Sequence, residues 1–261
     1  MNIFDFQKMK TNNQKISMIT CYDYTSARIL SQTKTHCLLV GDSVAMTMHG
    51  FKNTLSATVE MMCMHTAAVN RGAPNQFIVS DLPFLSYRKS QRESTNAAQQ
   101  LMQSGASALK LESVDGNEKL IQHLVASGVP VMGHIGLTPQ FVHILGGYKI
   151  QGKTETVANR LKADALKLQE LGCFSIVLEC VPAALAKEIT ASLIIPTIGI
   201  GAGPFTDGQV LVWQDLLGLN LDFNPTFSKA FLSGSELIKN SVDDYIQQIQ
   251  SGAFPSHEHC F

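Results

Sequence analysis

HCLLVGDSVAM, residues 36–46, opens with four consecutive apolar residues after His36, Cys37 to Val40, and then turns at Gly41 into an acid and a hydroxyl, Asp42 and Ser43. A short apolar run with a polar flank on one side and a glycine on the other reads as a strand buried on both faces. Strands of that kind belong to parallel sheets covered by helices. A carboxylate closing such a strand is unexpected, and the pattern recurs three more times further along the chain.

Upstream, SMITCYD (17–23) precedes the helix-like TSARILSQ; downstream, TVEMMCMHTAAVNRG (58–72) leads to FIVSDLP (77–83) and then STNAAQQLMQSG. ALKLES (108–113) precedes GNEKLIQHLVASG, and PVMGHIG (130–136) leads through a long Gly-containing segment to TVANRLKADALKLQELG. SIVLEC (175–180), PTIGIGAG (196–203) and VLVWQDLLGL (210–219) complete the series. Four of the helical stretches end in glycine, Gly72, Gly105, Gly128 and Gly172, as helix C-termini prefer. Eight strand-plus-connector units, each of about 30 residues, fit a (β/α)8 barrel better than an open doubly wound sheet. No linker or composition shift divides residues 1–261, so one barrel domain is expected over the whole chain.

Composition narrows the function classes. The 20 basic and 21 acidic residues are interspersed and nearly cancel, which leaves no electrostatic footprint for nucleic acid. No run approaches the roughly 18–20 apolar residues of a membrane span, and the N-terminal MNIFDFQKMKTNNQK has no signal core. The charged fraction of 16% favours a large buried interface. The six cysteines sit mostly inside apolar runs without C-x-x-C spacing, as expected of buried thiols in a reducing cytoplasm.

In a (β/α)8 barrel the chemistry gathers at the C-terminal ends of the strands. Asp42 ends the second strand there, Asp81 the third and Glu179 the sixth; Lys110 and Glu112 lie on the fourth and His134 on the fifth. Alternation along a strand puts Lys110 and Glu112 on one face and Leu109 and Leu111 on the other. Carboxylates converging on one barrel mouth repel unless a cation or protons intervene. Oxygen ligands without a Cys or His cluster suit Mg²⁺, which usually takes one or two carboxylates and keeps waters. A lone acid at a strand end is more often a helix cap, which is how Asp23 and Asp115 read.

Other features weigh less. GIGAG (199–203) lacks the spacing of a phosphate loop and suits close packing or room for a substrate equally well. HEHC (257–260) reads as a solvated tail and His65 as a satisfied core histidine. Segment 136–153 exceeds normal loop length and is expected to act as a lid, with Gly146–Gly147 as its hinge and Lys149 near an anionic ligand.

The ordered blocks VGDS (40–43), HTAAVNRGAP (65–74), DLPF (81–84), KLE (110–112), GHIGLTPQ (133–140), GGYKIQG (146–152), LECVP (178–182) and DGQVLVWQDLLGL (207–219) resemble the ketopantoate hydroxymethyltransferase family. The resemblance runs from ITCYDYTSA (19–27) to EHCF (258–261), departs at Ala45, where the family favours Gly, and is loose over FNPTFSKAF (223–231). It implies transfer of a one-carbon unit from 5,10-methylenetetrahydrofolate to 3-methyl-2-oxobutanoate through a Mg²⁺-stabilised enolate, giving 2-dehydropantoate for pantothenate biosynthesis. It further implies Mg²⁺ on Asp42, Asp81 and Glu112, substrate on Asp42, Ser43, Asp81 and Lys110, and Glu179 as proton acceptor. His134 is left as a hydrogen-bond donor to substrate or folate, or a structural residue. The family assembles as a homo-oligomer, typically a decamer, in the cytoplasm. Two rivals stand beside this expectation. One is another Mg²⁺-dependent 2-oxo acid lyase or mutase, which is expected to carry a reactive-cysteine lid, absent from 136–153; the other is an inactive metabolite-binding barrel.

Overall fold

The computed structural model describes residues 1–221 and 225–261. Eight parallel strands close into a barrel in sequence order: β1 (Ile16–Thr20), β2 (Cys37–Val40), β3 (Phe77–Asp81), β4 (Ala108–Glu112), β5 (Val131–Gly136), β6 (Ser175–Glu179), β7 (Thr197–Ile200) and β8 (Gly208–Leu211), with β8 pairing back onto β1. The expected (β/α)8 architecture is the one observed. Two compact units divide the chain, Met1–Leu211, which holds the whole barrel, and Val212–Phe261.

Helices cross between strands as the apolar spacing predicts, with one exception. β7 reaches β8 through residues 201–207 without a helix, and β8 begins at Gly208 and ends at Leu211, short of the expected 210–219 stretch, which continues into a short helix at Trp213–Leu216. The glycine stops divide by cause. Gly105, Gly128 and Gly172 take φ of 107°, 85° and 91°, the left-handed backbone that glycine adopts without a Cβ penalty. Gly72 serves close approach instead: a Cβ there would lie 2.6 Å from the Tyr24 carbonyl oxygen and 2.7 Å from the Ala27 Cβ of the neighbouring helix. Asp23 caps helix Tyr24–Leu30, accepting from Ser26 N at 2.8 Å, as expected. Asp115 does not cap; Asn117 stands at the start of helix Glu118–Ala126, and Asp115 pairs with Arg160.

A helix unforeseen from the sequence, Ile3–Thr11, closes the barrel's N-terminal end. Asn2 and Asp5 form a reciprocal capping box at its start. Its fully buried Phe6 meets Phe77, the first residue of β3, at 5.1 Å between ring centroids and Phe174, just before β6, at 5.2 Å, both edge-on or tilted. Lys10 ties the helix down through Asp207 and the Thr190 carbonyl, at 2.8 and 2.9 Å.

Above this plug the barrel interior fills with Met18, Cys37, Leu39, Val79, Ala108, Met132, Val177, Ile198 and Val210. Inward positions alternate along each strand, so Val79 is followed inward by Asp81, Ala108 by Lys110 and Glu112, Met132 by His134, and Val177 by Glu179. The interior therefore changes from aliphatic to ionisable toward the C-terminal ends.

The second unit carries an 18-residue helix, Gly234–Ser251, with Leu237, Ile238, Val242, Tyr245, Ile246 and Ile249 exposed. HEHC (257–260) forms an exposed 3-10 turn, matching the solvated-tail expectation. Of the loosely aligned 223–231 stretch, residues 223 and 224 lie outside the described residues. Among the described residues no helix is long and apolar enough to cross a membrane.

Candidate active site

Strand register assembles the site. β3 pairs with β4 so that Asp81 stands beside Lys110; β4 pairs with β5 so that Glu112 stands beside His134; β5 pairs with β6 so that Gly136 stands beside Glu179. Asp42, just beyond β2, joins them when its backbone N–H donates to Asp81 Oδ2 at 3.0 Å. Asp42, Asp81, Lys110, Glu112 and His134 are each 5% exposed or less. Ser43 follows Asp42 and exchanges a 2.8 Å hydrogen bond with the buried Tyr22 hydroxyl. Every site residue expected from the sequence thus lies at the C-terminal end of the barrel.

Among the described residues Lys110 is the cation that stands within this group of acids. Its Nζ lies 3.0 Å from Asp81 Oδ1 and 3.3 Å from His134 Nδ1. Burial opposes the ammonium charge, but Asp81, Glu112 and Asp42 outweigh it and hold the lysine's pKa above its ordinary value. Because an ammonium only donates, His134 Nδ1 accepts, and the ring proton sits on Nε2. Burial and the Lys110 charge also push the imidazole well below its usual range, so His134 is neutral. Its Nε2 lies 3.2 Å from Glu179 Oε2, a contact of a neutral ring with a carboxyl group rather than an ion pair.

The acids differ in environment. Burial, then the charge of Asp81, pushes Asp42 up to about 7, with Lys110 and Gln140 working against the rise. Burial and the Asp42 charge raise Glu112 well above the carboxylate range. Glu179 is pushed up to about 7 by burial, moderated by Lys110, and keeps a side chain 17% exposed. Ser113 and Cys180, each directly after a site glutamate, take φ of 67° and 48°, a strained backbone for residues other than glycine.

Among the described residues two site-acid oxygens are buried without a hydrogen bond: Glu112 Oε1, and Asp81 Oδ1, which lies 3.0 Å from the Lys110 ammonium. Among the described residues no three His, Cys, Asp or Glu groups form a ready-made metal cage. The donor set fits a hard divalent cation taking one or two carboxylates directly, with waters or substrate oxygens completing the shell.

Sequence reasoning missed Gln140, Tyr87 and Tyr22. Gln140 opens the long segment after β5 and is 4% exposed; its side-chain amide donates to Asp42 Oδ2 at 2.8 Å and the Leu82 carbonyl at 3.0 Å. Its backbone N–H donates to Glu112 Oε2 at 3.0 Å, and the Tyr87 hydroxyl donates to its Oε1 at 2.7 Å. Only the polar character of a residue inside the GLTPQ stretch hinted at it, because strand alternation says nothing about loops.

The remaining expectations divide. Gly146 and Gly147 take φ of 66° and 105°, compatible with a hinge, and Tyr148 beyond them is half-exposed, its pKa raised by burial and by Glu179, Asp42 and Glu112. Lys149 folds its amino group back against Gly146, 3.2 Å from where a Cβ would stand. GIGAG packs closely: a Cβ on Gly199 would meet Thr206 Oγ1 at 2.7 Å and one on Gly203 the Ala183 Cβ at 2.5 Å. His65 is a satisfied buried histidine, bonded through Nδ1 to the Tyr22 carbonyl at 2.5 Å and through Nε2 to His49 at 2.9 Å. A cavity of about 360 Å³ beside β5 is lined by Arg88, Ile135, Phe141, Leu145, Val157 and Leu161 among others, and none of the site acids lines it.

Solved structures share this fold at low identity. A putative phosphonomutase from Burkholderia cenocepacia superposes with a TM-score of 0.64 at 13% identity, over 95% of this chain and all of that one. A 2,3-dimethylmalate lyase gives 0.60 at 13%, over 99% of this chain and 91% of that one. Sequence relatives are far nearer. The 3-methyl-2-oxobutanoate hydroxymethyltransferase of Coxiella burnetii (strain Dugway 5J108-111) is 58% identical over 100% of this chain and 99% of its own. Its namesake from Legionella pneumophila (strain Corby) is 53% identical over 100% of both. The family model described as ketopantoate hydroxymethyltransferase matches residues 1–257, and the chain belongs to that family.

Proposed function

We propose that the protein transfers the one-carbon unit of 5,10-methylenetetrahydrofolate to C3 of 3-methyl-2-oxobutanoate, with water, giving 2-dehydropantoate and tetrahydrofolate in pantothenate biosynthesis. Family membership and relatives named for this hydroxymethyl transfer support the reaction. The single observation that carries the mechanism is the separation of roles among the acids. Asp42, Asp81 and Glu112 cluster about Lys110, whereas Glu179 stands at the end of β6 beside a neutral imidazole.

Asp81 and Glu112, with their unbonded oxygens, would hold Mg²⁺, with Asp42 completing the set. When bound, that ion supplies positive charge beside the keto and carboxylate oxygens of the 2-oxo acid. Lys110 adds a second positive charge, and Ser43, hydrogen-bonded to the Tyr22 hydroxyl, presents its own hydroxyl to the substrate. Glu179 removes the C3 proton; its partial desolvation makes it a stronger base than an exposed carboxylate. His134, neutral and with Nε2 3.2 Å from Glu179 Oε2, stands beside that carboxylate without competing for the substrate's proton. The same proposal takes the enzyme to be a cytoplasmic homo-oligomer; the exposed apolar row of helix Gly234–Ser251 supports the assembly.

The test is incubation of the purified protein with both substrates and Mg²⁺, with and without EDTA, following 2-dehydropantoate. Product that disappears with EDTA is expected. No product under any condition overturns the reaction, and product indifferent to EDTA overturns the metal requirement.

A further inference from the structure

Gln140 spends its hydrogen-bonding groups on four separate parts of the barrel. The side-chain amide reaches Asp42 beyond β2 and Leu82 beyond β3, its carbonyl receives the Tyr87 hydroxyl, and its backbone N–H reaches Glu112 on β4. The amide orientation follows from chemistry. Asp42 Oδ2 and the Leu82 carbonyl only accept, so the NH₂ end must face them, and the carbonyl end must face a donor, which Tyr87 supplies.

Each acid touched by Gln140 is held through one oxygen. Glu112 Oε2 is occupied by the Gln140 backbone, while Glu112 Oε1 remains buried and unbonded. Asp42 Oδ2 is occupied by the side-chain amide. Two carboxylates that repel each other are thereby fixed by neutral N–H donors, which lower the cost of their charges without adding a cation that would compete for the site. The contact also runs through the first turn of segment 136–153, Pro139–Phe141, so the root of that segment is buried in the site while Ile144, Tyr148 and Ile150 beyond it are exposed.

We propose that Gln140, oriented by Tyr87, is the positioning residue that presets Asp42 and Glu112 for a divalent cation and couples the long segment after β5 to the carboxylate cluster. This role rests on the metal-dependent reading of the site. Partners that orient metal-binding carboxylates typically contribute about 10- to 100-fold to metal affinity or activity. Gln140→Met keeps the length of the side chain and removes both its donors and its acceptor, yet leaves the backbone bond to Glu112. Tyr87→Phe removes the hydroxyl that sets the amide, together with its longer 3.4 Å contact to the Glu112 carbonyl, a loss of about two- to tenfold in whatever it orients.

The experiment is titration calorimetry of Mg²⁺ into wild type, Gln140→Met and Tyr87→Phe in the presence of 3-methyl-2-oxobutanoate, with thermal unfolding of each metal-free protein alongside. We expect Mg²⁺ affinity to fall about 10- to 100-fold in Gln140→Met and by the smaller factor in Tyr87→Phe. A merely structural residue would lower the unfolding temperature and leave Mg²⁺ affinity per folded molecule unchanged, and that result overturns the proposal. If Gln140→Met does not fold, Tyr87→Phe alone decides: wild-type affinity in it overturns the role. Wild-type protein that binds no Mg²⁺ overturns the metal reading itself, a failure distinct from variants that bind as well as wild type.

Discussion

Replacing Lys110 by Met removes a buried positive charge from a cluster of buried acids while keeping an unbranched chain of similar length. The ammonium lies 3.0 Å from Asp81 Oδ1, and at an effective dielectric of about 20 their attraction is about 5 kcal/mol. Removing one partner of a buried pair costs about 3–5 kcal/mol, because the other charge is left uncompensated. For a domain of about 150–250 residues, each kcal/mol moves the midpoint by about 2–4 °C, so the metal-free variant should unfold about 10 °C below wild type. The deficit should depend on pH. Asp42 and Glu112 are already pushed above their ordinary range and rise further without Lys110. An acid whose folded pKa is raised costs nothing below its unfolded value; the cost grows as pH climbs from there to the folded one and is constant above it. The loss should therefore be smallest near pH 4 and largest near pH 8. Calorimetric melting in EDTA across that range measures it, and Mg²⁺ should restore more stability to the variant than it adds to wild type. A metal-free Lys110→Met protein that melts with wild type at pH 8 would refute the idea that this lysine compensates the acid cluster.

Phe6→Ala, at the opposite end of the barrel, should cost about 3–5 kcal/mol of stability through the cavity it opens among Phe77 and Phe174, with turnover per folded molecule unchanged; melting curves beside active-site-normalised kinetics check it. Glu179→Gln should raise stability at pH 8 and leave it unaltered at pH 4. The carboxyl's pKa rises on folding from 4.5 to about 7, so its destabilising cost builds across that interval and is on the order of 3 kcal/mol above it. Urea unfolding at the two pH values would show a constant difference if burial of Glu179 carried no such cost.

The barrel is legible because eight short apolar runs alternate with helical stretches, and several of those runs end abruptly in acids. That regularity placed Asp42, Asp81, Lys110, Glu112, His134 and Glu179 at one end of the barrel before any coordinates. Residues outside the strands were not legible in the same way. Gln140 reaches the site from a 3-10 turn, and Tyr87 from the loop after β3; their partners are fixed by three-dimensional closure rather than by spacing. The helix Ile3–Thr11 is hard to read from the sequence because its few apolar residues make no signal core or strong stripe, although the Asn2–Asp5 capping box is a local start signal. Asp115 misled because a helix does follow it, two residues later than a cap requires, and Arg160 offers it a charged partner instead.

The central claim is that Glu179 takes the C3 proton of the 2-oxo acid while Lys110 and the acid cluster hold its oxygens. Exchange of that hydrogen with D₂O, followed by NMR with Mg²⁺ present and folate absent, isolates the step. Wild type should exchange, faster as pH rises through about 7 and level above it, if the carboxylate form of Glu179 is the base as proposed. Glu179→Gln should slow exchange by about 10²- to 10⁴-fold with substrate still bound. Exchange that persists in Glu179→Gln and vanishes in His134→Gln would contradict the account and give the base role to the histidine.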